Sequence, residues 1–218
     1  MGWALRFYRS TIGKKILMAV TGLIWVLFVI EHMAGNLLTL KGPEAINRYA
    51  ALLKSSDEIL WAFRIVLFVA LVVHVDSMLK LTARNWTSRP ARYAKVAHQT
   101  SSPASRTMRW GGVFLILWLV YHILHFTTGQ VHPDFSHTDV YRNVTVAFQS
   151  GGKVALYGAA MVALALHLYH GAWSMFQTVG ANHPHLEKPR RWVATAIAIL
   201  IPLGFITVPL AIYFGIIG

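Results

Sequence analysis

Long apolar runs broken by short, polar and mostly basic stretches set the pattern of this chain. Five runs reach the length that crosses a hydrocarbon core, about 20 residues of helix. They are Ile16–Leu40, Ile59–Lys80, Trp110–Thr128, Val154–Gly180 and Trp192–Ile217. Arg6, Arg9, Lys14 and Lys15 precede the first run, as in a signal peptide. No small-x-small cleavage site follows, and the run is long for a signal, so it reads as a retained helix. The connection Asn85–Met108, containing "SRPARYAKVAHQTSSPASR", is polar, basic and proline-bearing and reads as an extended loop. Gly129–Gly152 carries His132, Pro133, Asp134, His137 and a short amphipathic stretch, "VYRNVTVAF". The last run has neither charge nor histidine, and Pro202 and Pro209 are expected to kink it, so its role is structural. The pattern predicts an all-α integral membrane protein, one domain over residues 1–218, built as a bundle of five spans.

Composition agrees. Apolar residues make up 56% of the chain and charged residues only 13%, against about a quarter charged in soluble folds. Too few polar residues are present to cover a soluble surface, so lipid is the expected solvent.

The distribution of the 20 Lys and Arg then sets an expected topology. Arg6, Arg9, Lys14 and Lys15 precede the first helix; Lys80, Arg84, Arg89, Arg92, Lys95, Arg106 and Arg109 lie around the second connection; Lys188, Arg190 and Arg191 lie before the fifth helix. The acids Glu31, Glu44, Asp57, Glu58, Asp134 and Asp139 fall toward the other side. By the positive-inside rule the N-terminus is cytoplasmic and the C-terminus outside, in a multi-pass protein of the cytoplasmic (inner) membrane. The net charge of +12 is thereby explained without nucleic acid, for which no recognition motif is present. Membrane lipid headgroups or an acidic protein surface are the partners such a face suits. With no cysteine, the chain cannot supply a disulfide, a covalently attached haem or a thiolate-ligated cluster.

Six of the 11 histidines fall inside the first four spans: His32, His74, His122, His125, His167 and His170. Polar groups at membrane depth are costly and usually functional. Depth sorts them. His32 lies 17 residues past Lys15 and His122 lies 13 past Arg109, roughly 25 and 20 Å from the inner edge at about 1.5 Å per residue. His74 precedes Arg84, and His167 precedes Gln177, by 10 residues, or roughly 15 Å. The outer layer therefore holds His32 with His122, and the inner layer His74 with His167. Two bis-histidine haems b, stacked across the membrane, would use these as axial iron ligands. A single metal held by the two H-x-x-H pairs, His122/His125 and His167/His170, is locally feasible but joins different layers. A histidine-lined transporter or scaffold is the non-redox alternative.

Four segments carry a family resemblance: "MAVTGLIWVLFVIEHMAGNLL", "VVHVDSMLKLTARNWTSRPARYA", "VYHILHF" and "HLYHGAWSMFQTVG". Together, from about Ser10 to Gly180, they resemble the single-chain, five-helix, di-haem cytochrome b membrane anchor of succinate dehydrogenases and fumarate reductases. The resemblance implies axial ligands His32 and His122 for the distal haem, and His74 and His167 for the proximal one. The family pattern His-x-x-x-Gly-x-Trp-Ser selects His167, because Gly171, Trp173 and Ser174 follow it, and leaves His170 as a neighbour. It further implies a flavoprotein subunit carrying FAD and an iron–sulfur subunit, both on the cytoplasmic face, and a higher oligomer of the complex. By the same resemblance succinate oxidation would belong to those partners, and this chain would pass electrons through two haems b to a quinone, menaquinone or ubiquinone. A haem-b anchor of another dehydrogenase is the nearest alternative.

Some members carry a proton-conducting glutamate two residues before the fourth-helix ligand; here that position is Ala165, so that route is not expected. Glu31, Asp57 and Glu58 outside, and Arg109 and Trp110 inside, are the candidate quinone-site residues. Asp76 is expected to pair with Lys80 at helical i,i+4 spacing.

Overall fold

A computed structural model describes residues 2–88 and 101–218. Arg89, Arg92 and Lys95, counted among the basic residues of the second connection, lie outside the described residues. The described chain is all helical: α1 (Trp3–Arg9), α2 (Thr11–Leu37, continued by a 3-10 turn Leu38–Lys41), α3 (Pro43–Leu53), α4 (Asp57–Thr87), α5 (Pro103–Phe126), α6 (Val140–Phe148), α7 (Gly151–Thr178) and α8 (Glu187–Tyr213). Five of these, α2, α4, α5, α7 and α8, are long and apolar enough to cross a membrane. The chain is a multi-pass membrane protein by that measure.

The spanning helices overrun the apolar runs at their N-terminal ends, and the caps explain why. Ser10, Ser56 and Ser102 accept hydrogen bonds from the backbone N–H groups of Gly13, Ile59 and Ser105, satisfying donors that a helix start leaves unpaired. Helices α2, α4 and α5 therefore begin at Thr11, Asp57 and Pro103 rather than at 16, 59 and 110. The stretch 85–108, expected as extended loop, is helical at both ends: α4 runs through Thr87, and α5 starts at Pro103. Helix α8 starts at Glu187, not Trp192, and stops at Tyr213, just before the positive-φ Gly215. Pro202 and Pro209 lie buried inside α8. The amphipathic stretch 140–148 is α6, whereas α1 and α3 were not anticipated.

Packing orders the spans. Helix α7 packs along α8 and α5, and α2 packs along α4, α8 and α7. Small residues make the α7–α8 approach: Ala160 and Ala172 on α7, Ala194 and Ala198 on α8, are all buried. One apolar core joins Val144, Phe148, Val154, Tyr157, Val208 and Ile212; a second joins Leu168, Ala198 and Ile201. Helices α4 and α5 form the flanks, and the large apolar side chains they leave exposed, such as Phe63, Phe68 and Leu117, suit a lipid-facing surface.

The two ends of the bundle differ. One end, here the basic end, carries α1 and the α4–α5 and α7–α8 connections. The other is capped by α3, α6 and the segment 129–139. There Asn47 donates to Asp139 Oδ1 at 3.0 Å and accepts from the Tyr141 N–H at 3.0 Å, and Lys54 donates to the His137 carbonyl at 2.8 Å. Asn143 pairs in both directions with the Ser136 backbone, and its carbonyl accepts from His132 Nε2 at 2.8 Å. These bonds seal the capped end over the histidines beneath it.

Candidate functional site: two layers of paired imidazoles

Within the bundle the four spans α2, α4, α5 and α7 bring their histidines together in two pairs. His32 of α2 faces His122 of α5 with ring centroids 5.9 Å apart. His74 of α4 faces His167 of α7 at 6.2 Å. Two imidazoles that bind one metal ion from opposite sides, through bonds of about 2 Å, have centroids about 6 Å apart. Neither pair sits on adjacent helices. Among the described residues α2 does not pack closely on α5, nor α4 on α7; each pair reaches across the bundle interior. The imidazole rings thus meet while the helices that carry them do not pack closely on each other.

The layers are well separated. Thr21, which touches His74, lies 11 residues before His32 on α2, roughly 16 Å along the axis. Tyr157, which touches His122, lies 10 residues before His167 on α7, roughly 15 Å.

Each pair has its own surroundings. At the capped end His32 stacks on Phe28 (5.3 Å, 12°) and touches Phe205, while His122 stacks on Trp118 (5.0 Å, 24°). At the basic end Gly22 of α2 faces His74, where a Cβ would lie in ordinary van der Waals contact with the ring.

The nitrogen inventory tests whether these residues fit a metal-centred group. Thr21 Oγ1 donates to the Leu17 carbonyl at 2.7 Å, so at 3.2 Å from His74 Nδ1 it accepts. That assigns the proton of His74 to Nδ1 and leaves an Nε2 lone pair, the form a metal ligand needs. The Tyr157 hydroxyl lies 3.4 Å from His122 Nδ1, again on the ring nitrogen away from Nε2. His167 Nδ1 is buried without a partner among the described residues. None of the four Nε2 atoms is hydrogen-bonded within the described chain. Four uncommitted imidazole nitrogens in two facing pairs fit two axially ligated groups. They do not fit a four-histidine site, for no group of three or more His, Asp or Glu converges on a metal position among the described residues.

The second members of the H-x-x-H pairs part company with the first. His125 is fully buried, hydrogen-bonded through Nδ1 to Tyr157 at 2.9 Å and stacked on His132. His170 has no hydrogen bond within the described chain. The Trp-Ser of the motif beyond it is structural. Trp173 is flanked by the guanidinium groups of Arg190 and Arg191 at 5.0 and 4.9 Å, and Ser174 bonds back to the Gly171 carbonyl at 3.1 Å. The Trp173 contacts tie α7 to the start of α8.

The quinone candidates scatter. Glu31 accepts a hydrogen bond from Tyr49 of α3, whose phenol is raised to about 12 by burial and by that carboxylate. Glu58 accepts from Ser56 at the exposed N-terminus of α4, beside Asp57. At the basic end Arg109 lies over Trp86 at 5.4 Å, and Trp110 is exposed. The structure does not gather these five into one pocket. Near the basic-end pair, a cavity of about 200 Å³ between α5 and α7 is lined by Thr107, Gly111, Phe114, Ala163 and His167, among others. The Asp76–Lys80 pair is present at 2.7 Å. It belongs to a larger cluster, because Lys14 and the Tyr8 hydroxyl reach the same carboxylate at 2.7 Å each.

Fold and site together define the class, a multi-pass helical membrane protein holding two stacked imidazole pairs. No family model matches the sequence, and searches of curated proteins and of solved structures return no match to it.

Proposed function

We propose that this chain is the di-haem cytochrome b membrane anchor of a succinate:quinone oxidoreductase. His32 and His122 hold one haem b and His74 and His167 the other. The observation that carries this reading is the pair of facing, Nε2-free imidazoles set across the bundle at single-metal spacing. Bound there, the haems supply one-electron chemistry between an iron–sulfur partner and a membrane quinone.

The chain's own residues do the rest. Thr21 and Tyr157 hold imidazole orientation. Phe28, Trp118 and Phe205 present aromatic faces around the capped-end pair, and the α3–α6 cap excludes water from above it. Held by two imidazoles each, such groups would suit electron transfer rather than oxygen chemistry. The basic end faces the cytoplasm, where the exposed guanidinium groups of Arg84, Arg106 and Arg109 offer a docking face to a flavoprotein–iron–sulfur pair. The quinone approaches through lipid.

Affinity-tagged chain recovered from its own membranes in mild detergent tests this assignment. It should carry a flavin-containing and an iron–sulfur-containing partner, with succinate-dependent quinone reduction. Recovery without flavin or that activity would overturn it.

A further inference from the structure

Among the described residues Tyr157 is the side chain whose polar atom lies within hydrogen-bond reach of both histidines of the "HILH" pair. Its hydroxyl lies 3.4 Å from His122 Nδ1, a long contact, and 2.9 Å from His125 Nδ1. The ring cannot swing away. It is 6% exposed and held edge-on by Trp118 at 5.5 Å, Phe126 at 5.9 Å and Phe148 at 5.0 Å. His125 is 0% exposed.

We propose that Tyr157, backed by His125, is the positioning residue for His122 and sets the redox potential of the haem at the capped end. The inference rests on the haem assignment given above. Proton counting fixes the direction of the chain. A hydroxyl has one proton to donate and lone pairs to accept. A His122 that binds iron through Nε2 carries its proton on Nδ1, so Tyr157 accepts from it. The single tyrosine proton then goes to His125 Nδ1, which puts the remaining His125 proton on Nε2. The reverse order would place a proton on His122 Nε2 and block ligation.

A hydroxyl that donates onward is a better acceptor, because hydrogen bonds in series polarise one another. The bond to His122 therefore strengthens the imidazole as a donor to iron and favours the ferric state. At the basic-end pair Thr21 is the corresponding hydroxyl on His74, passing its own proton to a backbone carbonyl, and His167 Nδ1 has no partner among the described residues. Tyr157 contacts the capped-end pair and not the basic-end one, so its effect belongs to one haem. His125 keeps its Nε2 buried and unpartnered within the described chain, which costs stability; orienting the tyrosine proton gives that residue a function.

The test is redox potentiometry of the haem absorption bands in the purified complex. Tyr157→Phe keeps the ring contacts and removes the hydroxyl. It should retain both haems and move one component upward by about tenfold in its oxidised-to-reduced equilibrium, about 59 mV for one electron. The component that moves should be the one absent from His122→Ala, and the other should stay in place. His125→Leu should shift the same component in the same direction by less. Two haems with unmoved potentials in Tyr157→Phe would overturn the proposal, as would movement of the component lost in His74→Ala. Should Tyr157→Phe lose its haem, His125→Leu carries the test alone, and an unmoved potential there overturns it. A wild-type chain with no haem would instead sink the function proposed above.

Discussion

Replacing Asp76 by asparagine should destabilise the bundle through one buried lysine. Asp76 binds Lys14, Lys80 and Tyr8 at 2.7 Å each. The Lys80 side chain is 55% exposed, and a pair that open to water is screened and contributes little. The Lys14 side chain is only 5% exposed, with its ammonium 3.4 Å from the Tyr8 ring centroid. Breaking a buried pair from one side costs about 3–5 kcal/mol. Asp76 is 29% exposed, and asparagine keeps one acceptor oxygen, so the expected cost is lower, about 2–3 kcal/mol. For a chain of this size that corresponds to a fall in Tm of about 5–10 °C.

The assay is thermal unfolding in detergent of wild type, Asp76→Asn, Lys80→Met and the double variant Lys14→Met/Asp76→Asn. Lys80→Met should cost at most about 4 °C. The double variant should recover at least half of the Asp76→Asn loss, because it no longer buries an unpaired ammonium. An Asp76→Asn protein within about 2 °C of wild type, or a double variant no more stable than Asp76→Asn, would refute the reasoning.

The haem ligands predict their own pattern: His167→Ala should contain one haem per chain and His170→Ala two, read from the haem-to-protein ratio, and the opposite result would exchange their roles. Thr21→Val keeps shape but removes the acceptor for His74 Nδ1, so the basic-end haem should be held about 10–100-fold more weakly, measured by haem loss to apomyoglobin. Tyr49 supplies a pH signature. Its folded pKa of about 12 stands above the ordinary 10.0, so its contribution to stability is complete below pH 10 and lost as pH rises through about 12. A spectrophotometric titration of Tyr49→Phe should lose one late-ionising phenol relative to wild type; an unchanged curve would deny the Glu31 contact.

The division between what could be read from the chain and what could not follows helix geometry. Span number and interior come from apolar runs alone, and rise per residue turns a position into a depth. The pairs drawn by that count, His32 with His122 and His74 with His167, are the pairs that face each other in the fold. Asp76–Lys80 is a local i,i+4 relation and was equally visible. Azimuth was not. Whether Thr21 or Tyr157 points at a histidine depends on helix rotation about an axis, which a nearly uniform apolar sequence does not encode; the hints were a lone hydroxyl beside glycine in "AVTGLI" and one phenol in "VALYGAA". Lys14 read as a topology charge because its partner Asp76 is 62 residues away. Helix α3 was missed because its 11 residues are too short and too polar to span, and its role, bringing Tyr49 to Glu31, appears only once α2 has turned back on itself.

The haem content of the purified chain tests the central claim most directly. A pyridine haemochrome assay against quantified protein, with a reduced-minus-oxidised spectrum, should give two b-type haems per chain. One haem would leave an imidazole pair without its purpose, and none would contradict the account.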